Sequence, residues 1–345
     1  MKKANGILIG VAAVLLLLSL TAYHYRHSQA ERFDRGRRLF QSLDPDEVET
    51  IVVSKGDETV TLKRKGEEYV VEEAHGYPAK NEAVNRLFKT LFEITLEKEV
   101  GSGEKLAKEL ALQPPGEETT ELVLKNAAQK EMVHLRLGKT FEGGGRYLQR
   151  LDQDRAPILL SGKGVPINAD RKTYLKTEIL SVSQPDIEVI EGPDFEIAAG
   201  EDGALRLAGI PGGKEEDPSA MGRAKGAFTR LVFEEIHLAD ADVVRDLTFR
   251  DALRVTLKDG TGYGVQLAEK GDAVYLRISG SAAVEKVEIA RDTPEEELQE
   301  KADLLTRADE IKAFNAFHGS WVYKITSFVA DKFQLKKADL MKDKE

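Results

Sequence analysis

Chemistry in this chain would have to come from groups other than a thiol, because it contains no cysteine. The six histidines are scattered: His24 and His27 lie near the start, and His75, His134, His237 and His318 lie far apart. Those last four do not stand at the i, i+4 or short-loop spacing with which zinc sites collect their ligands. Carboxylates are abundant, yet the pairs Asp152/Asp154 and Asp240/Asp242 have neither a glycine at the sixth nor a glutamate at the twelfth position of a calcium loop. The glycine clusters Gly101/Gly103 and Gly143 to Gly145 lack the spacing and following helix that a dinucleotide site needs. No phosphate-binding loop, nucleophile elbow or zinc helix motif occurs. The chain is therefore read as non-catalytic, with no catalytic, cofactor-binding or metal residues assigned and no cofactor expected. Trp321 and Tyr323 remain as candidates for partner binding, because alternate residues of a strand share one face and an exposed aromatic pair grips a partner or a sugar. Burial against the preceding helix is the competing reading of the same two rings, and it is preferred.

The elements that would position such groups are short strands. From Val48 onward Ile51/Val53 and Val60/Leu62 alternate around Lys-Gly-Asp and Lys-Gly-Glu turns, the mark of antiparallel hairpins. Val84, Leu87, Phe88 and Leu91 then recur at helical spacing in Glu82 to Phe92. Leu122/Leu124 and Val133/Leu135/Leu137 predict another hairpin, and RYLQRL and PILLSG close the first half. A similar order returns about 130 residues later: strands around Asp202-Gly203, a helix from Pro218 to Val232 capped by Asp217, then Leu253/Val255/Leu257 and Tyr263/Val265/Leu267 around Asp259-Gly260. The join falls near Asp170 to Gln184. Thr293 as cap with Glu296 three residues on predicts a C-terminal helix with Leu298, Ala302, Leu305, Phe314 and Phe317 on one apolar face. The Trp321 strand and a polar helical tail follow.

The fold class is α+β: an N-terminal transmembrane helix, two similar mostly antiparallel β-sheet domains each with a packed helix, and a C-terminal helix-strand extension. The expected boundaries are 1–30 for the anchor, 43–180 and 185–290 for the repeats, and 291–345 for the extension. Ile7 to Tyr23 carries no charge and, with Gly6, is just long enough to cross a bilayer core of about 30 Å. A cleaved signal peptide is the alternative, disfavoured because Leu20 occupies a position two before Ala22 where a small residue belongs. Arg26, Arg32, Arg35, Arg37 and Arg38 form a basic cluster placed at the membrane surface. Lys2 and Lys3 favour a cytoplasmic amino terminus and the arginines the reverse, so charge alone does not orient the chain. The net charge of −10 without a long basic stripe speaks against nucleic acid.

YPAKNEAVNRLF after a hairpin, KLAKELALQPPGEETTELVL, the linker NADRKTYLKTEIL and the ending FHGSWVYKITSFVADKF resemble the family of domain of unknown function 4340. The likeness runs from about Leu43 to Phe333; the acidic loop GIPGGKEEDPS departs from the pattern. The resemblance implies a single-pass protein of the bacterial inner membrane with an extracytoplasmic body, an accessory to an ABC transporter. Its implied partners are the membrane, the transporter permease and a gliding-motility-type auxiliary protein. A lipid- or glycan-binding module of the envelope is the alternative.

Overall fold

The computed structural model describes residues 19–21, 34–114, 116–282 and 294–344. Most of the expected membrane-crossing run, together with Arg26, Arg32 and the cap Thr293, lies outside the described residues. Among the described residues no helix is long and apolar enough to cross a membrane. The chain forms two compact units, Met1–Lys176 and Thr177–Glu345. Both are α+β, built on antiparallel sheets with a few helices.

In the first unit β1 (Thr50–Lys55), β2 (Glu58–Lys65), β3 (Glu68–Val71) and β4 (Tyr77–Pro78) precede helix α1 (Asn81–Phe92). Then come β5 (Leu96–Gly101), the short α2 (Glu104–Glu109), β6 (Thr120–Lys125), β7 (Glu131–Thr140), β8 (Arg146–Arg150) and β9 (Ile158–Ser161). They form one nine-stranded sheet in the order β4-β3-β2-β1-β6-β7-β8-β9-β5. The alternation seen in sequence sets which residues are inside: Ile51, Val53, Val60, Leu62, Leu122, Leu124, Val133, Leu135 and Leu137 are all buried. Helix α1 buries Val84, Leu87, Phe88 and Leu91 and packs beside β3. Each such side chain taken from water contributes roughly 1.5–3 kcal/mol.

The second unit contains β10 (Glu178–Leu180), β11 (Ile187–Glu191), β12 (Glu196–Ala199), β13 (Leu205–Leu207), β14 (Lys214–Glu216), α3 (Pro218–Lys225), β15 (Leu231–Val232) and β16 (Glu235–Leu238). It continues with α4 (Asp242–Arg245), β17 (Arg250–Leu257), β18 (Thr261–Lys270), β19 (Ala273–Ala282), α5 (Glu295–His318), β20 (Trp321–Ile325), α6 (Ser327–Ala330) and β21 (Met341–Asp343). Its main sheet runs β13-β12-β11-β17-β18-β19-β20-β16. Read against β3-β2-β1-β6-β7-β8-β9-β5, every position has a counterpart in the same chain order. The turn glycines Gly203 and Gly260 sit at φ +73° and +83°, as their Asp-Gly turns require.

Several expectations change. The helix capped by Asp217, whose side chain accepts from Ala220 N at 2.8 Å, stops at Lys225 instead of reaching Val232. Gly222 and Gly226 weaken it, and Leu231–Val232 pairs with β10, so 178–180 belongs to the second unit and not to the first repeat. The Trp321 strand is no separate extension: β20 pairs with β19 and β16 inside the main sheet, in the place that β9 takes in the first. The polar tail is not helical throughout, since Met341–Asp343 pairs with Lys214–Glu216 of the acidic loop.

Helix α5 also differs from its expected stripe. At 100° per residue Leu298, Ala302 and Leu305 share one face, while Phe314 lies on nearly the opposite one. Leu298, Ala302 and Leu305 are exposed, as is Phe317; the packed face carries Ile311 and His318, both buried, beside half-buried Leu304, Ala308, Phe314 and Asn315. This face lies on β19, where Asn315 Oδ1 accepts from Gly280 N at 2.7 Å and Asn315 Nδ2 donates to Gly280 O at 2.8 Å. A Cβ at position 280 would come within 2.8 Å of Ile311 Cδ1, so a larger residue there would have to push the end of that side chain aside.

Candidate binding cleft

The second unit holds a cleft of about 990 Å³, assembled from four separated stretches. The first is the β11–β12 turn, closed by Gly192 N donating to Phe195 O at 2.9 Å; Pro193 and Asp194 face the cleft from it. The second runs from Asp246 into β17 and follows α4, whose Val244 is buried in a cluster with Tyr275 and Val322. Leu247 and Phe249 pack on that cluster, and the Arg277 guanidinium stands 4.2 Å from the centre of the Phe249 ring. The end of β18 supplies Leu267 to Lys270.

The fourth stretch, Phe333 to Lys336, follows α6, where the Thr326 hydroxyl accepts from Val329 N at 3.4 Å. Phe333 anchors it by meeting Phe228 edge to face at 5.3 Å. Gln334 Nε2 donates to Glu269 Oε1 at 2.6 Å and Lys337 N donates to Asp194 Oδ1 at 2.9 Å, so this wall is tied to both β18 and the β11–β12 turn.

Buried Leu267, Phe333 and Leu335 make an apolar floor. The rim interleaves Asp194, Asp246, Asp251 and Glu269 with Arg250, Lys270 and Lys336. Thr248 is the one hydroxyl of the lining, and no histidine lines it. The arrangement supplies hydrogen-bonding groups, both signs of charge and apolar contact.

The residues singled out in sequence lie elsewhere. Trp321 is 8 % exposed and Tyr323 fully buried, which removes the aromatic platform on which a glycan or partner would rest. Tyr323 shares a 2.6 Å hydrogen bond with His318 Nδ1, and its ring is 5.3 Å from Phe233. Alternation puts both rings on one face, and both faces of the strand are covered, since Val322 between them is fully buried as well. Arg35, Arg37 and Arg38 are exposed, and Arg35 pairs with Glu97. Their segment is held to the β5 region by Gly36 N to Leu96 O at 2.7 Å, Leu96 N to Arg37 O at 2.9 Å and Leu39 N to Ile94 O at 2.9 Å.

Other titratable groups serve structure. Arg150 pairs with Asp152 and lies over the Phe40 ring. Asp242 pairs with Arg245 at 2.7 Å. Burial pushes the Tyr174 phenol up to about 12, and its hydroxyl donates to Asn168 O at 3.0 Å. Burial opposes ionisation of Glu121, but hydrogen bonds from His134 at 2.8 Å and Arg136 at 2.7 Å outweigh it and hold the carboxyl below its ordinary value. Among the described residues no three His, Asp or Glu side chains are grouped to hold a metal ion.

The family described as Domain of unknown function (DUF4340) matches residues 70–252, more than half of the chain. The chain belongs to this family. Its matched region covers α1 and the β6 to β9 hairpins of the first unit of this DUF4340 chain and reaches the first residues of β17 in the second. No curated protein and no solved structure matches significantly. Sequence reasoning missed the cleft because its walls are separated by up to about 140 residues; the pattern available was the alternation Leu253/Val255/Leu257, which locates β17 and says nothing of its neighbours.

Proposed function

We propose that this chain is a non-catalytic accessory subunit of an ABC-type transporter or cell-envelope system, anchored by one N-terminal helix in the bacterial inner membrane with its body extracytoplasmic. It works through protein contacts, with the transporter permease and a gliding-motility-type auxiliary protein as partners. The observation that carries this reading is the cleft of the second unit, where an apolar floor lies under a rim of mixed charge, the composition of a protein-recognition surface. The uncharged run from Ile7 to Tyr23 supports the anchor, and the resemblance of the family to membrane-anchored transporter accessories supports the partners.

Affinity purification of the tagged full-length chain from membranes in mild detergent tests it. Co-purification of the permease and the auxiliary protein is expected, and recovery of the chain alone across several mild detergents overturns the reading. Alkaline carbonate extraction tests the anchor separately: the chain should stay in the membrane pellet.

A further inference from the structure

We propose that the cleft takes an extended polypeptide segment of a partner protein, which adds a strand to the open half of β17. The inference rests on the reading of the chain as a protein-contact subunit and names the surface that makes the contact.

The register carries it. Strand β18 accompanies β17 along its length, from Arg250↔Leu267 to Thr256↔Gly262. On its other side β17 is paired with β11 only from Ile187↔Leu257 to Glu191↔Arg254. Arg250 to Leu253 therefore have a strand neighbour on one side alone, because β11 ends at Glu191 and turns away through Gly192 and Pro193. The corresponding pair of the first unit leaves nothing open: β1 meets β6 at all six positions, from Thr50↔Lys125 to Lys55↔Thr120.

This open edge lies in the cleft. Arg250, Asp251 and Ala252 line it, the first two exposed and the third half-buried. A row of strand backbone groups facing solvent is a template for another backbone, and an incoming strand gains its affinity from that ladder. Specificity comes from alternate side chains, half of which would point to the floor formed by Leu267, Phe333 and Leu335. A β-bulge between Asp251 and Leu253 bends β17 here, which limits the added strand to about four paired residues, roughly 13 Å of chain. The charges select the occupant. Four acids and three bases interleave around the rim, so a near-neutral segment with apolar residues at every second position is matched, whereas a polyanion or a polycation would meet like charge.

The test uses the full-length chain in detergent micelles and a display library of random dodecapeptides as probe. Selected peptides should share apolar residues at alternate positions. Binding should slow hydrogen exchange at least tenfold at those amides of Arg250 to Leu253 that point away from β18, the signature of new backbone hydrogen bonds, and leave the amides already paired with β18 unchanged. Ala252→Trp, which fills the mouth of the cleft, should weaken binding at least tenfold. Arg250→Glu, an exposed change that leaves the core untouched, should shift the selected charge pattern even if Ala252→Trp folds poorly. Peptides that bind without protecting these amides, or no selection at all, overturn the proposal, as does protection caused by self-association of the chain. Co-purification of transporter components that survives Ala252→Trp overturns the strand-addition site while leaving the accessory reading intact; loss of partners from the unmutated chain overturns that reading instead.

Discussion

The two main sheets share one strand order and differ in how their last strand is reached. In the first, β8 passes to β9 through a short loop, residues 151–157. In the second, β19 and β20 are separated by residues 283–320, which include the 24-residue helix α5. The longer excursion does not change where the strand lands. Loop-closure entropy rises only with the logarithm of length, about 0.6 kcal/mol per doubling, and packing of a strand as apolar as Trp321–Ile325 easily exceeds it. What the insertion adds is a second means of covering β19. Its pairing with β20 involves Val274 to Leu276, and farther along Asn315 supplies to Gly280 the two hydrogen bonds that a neighbouring strand would otherwise make.

The sharpest way to break this comparison is to remove the ring at the centre of the last strand. Tyr323→Ala should cost about 3–5 kcal/mol in chemical denaturation, through the cavity left and the lost bond to His318. A loss below about 1 kcal/mol would mean that β20 is dispensable to the second sheet. Asn315→Ala should cost about 1–3 kcal/mol, because both backbone groups of Gly280 then lack their partner. An unchanged midpoint would show that α5 rests on β19 without holding it.

A pH series sharpens the contrast from the side of the first unit, in which Glu121 bridges β6 to His134 and Arg136 of β7. Its folded carboxyl titrates below the ordinary value, so its contribution is fully present above about pH 4.5 and disappears as pH falls through the lower folded value. The stability gap between the chain and Glu121→Gln should shrink on acidification in that range; a gap that widens would mean that burial penalises the charge more than its partners stabilise it.

Doubling the 151–157 loop with glycine and serine should cost the first unit only about 0.6 kcal/mol, which urea titration can resolve. A several-fold larger loss would show that the short loop itself is needed. Least of all should come from Leu305→Ser. The side chain is 45 % exposed, and a change within about 0.5 kcal/mol is expected.

Much of this was legible along the chain. Strand alternation at Ile51/Val53 and Leu253/Val255, the Asp-Gly turns, the Asp217 cap and the packed face of Val84, Leu87, Phe88 and Leu91 are local properties, and each is found in the structure. The edge strands β5 and β16 were not legible. Leu-Glu-Lys-Glu-Val-Gly carries one fully buried apolar residue, and Glu235 to Leu238 is half-buried throughout, so neither displays the alternation by which a strand is recognised.

The amino-acid sequence by itself determined the period of each element, where it turns and which α1 residues share a face, because those follow from backbone geometry over a few residues. The tertiary structure alone decided that Trp321 and Tyr323 face inward, that α5 packs through Ile311 and His318 and leaves Leu298 and Leu305 in solvent, and that half of β17 has no second neighbour. The physical reason is the same in each case. Periodicity marks an apolar face without naming what covers it, and the cover depends on pairing between strands far apart in the chain, such as Leu238 with Trp321 or Glu191 with Arg254.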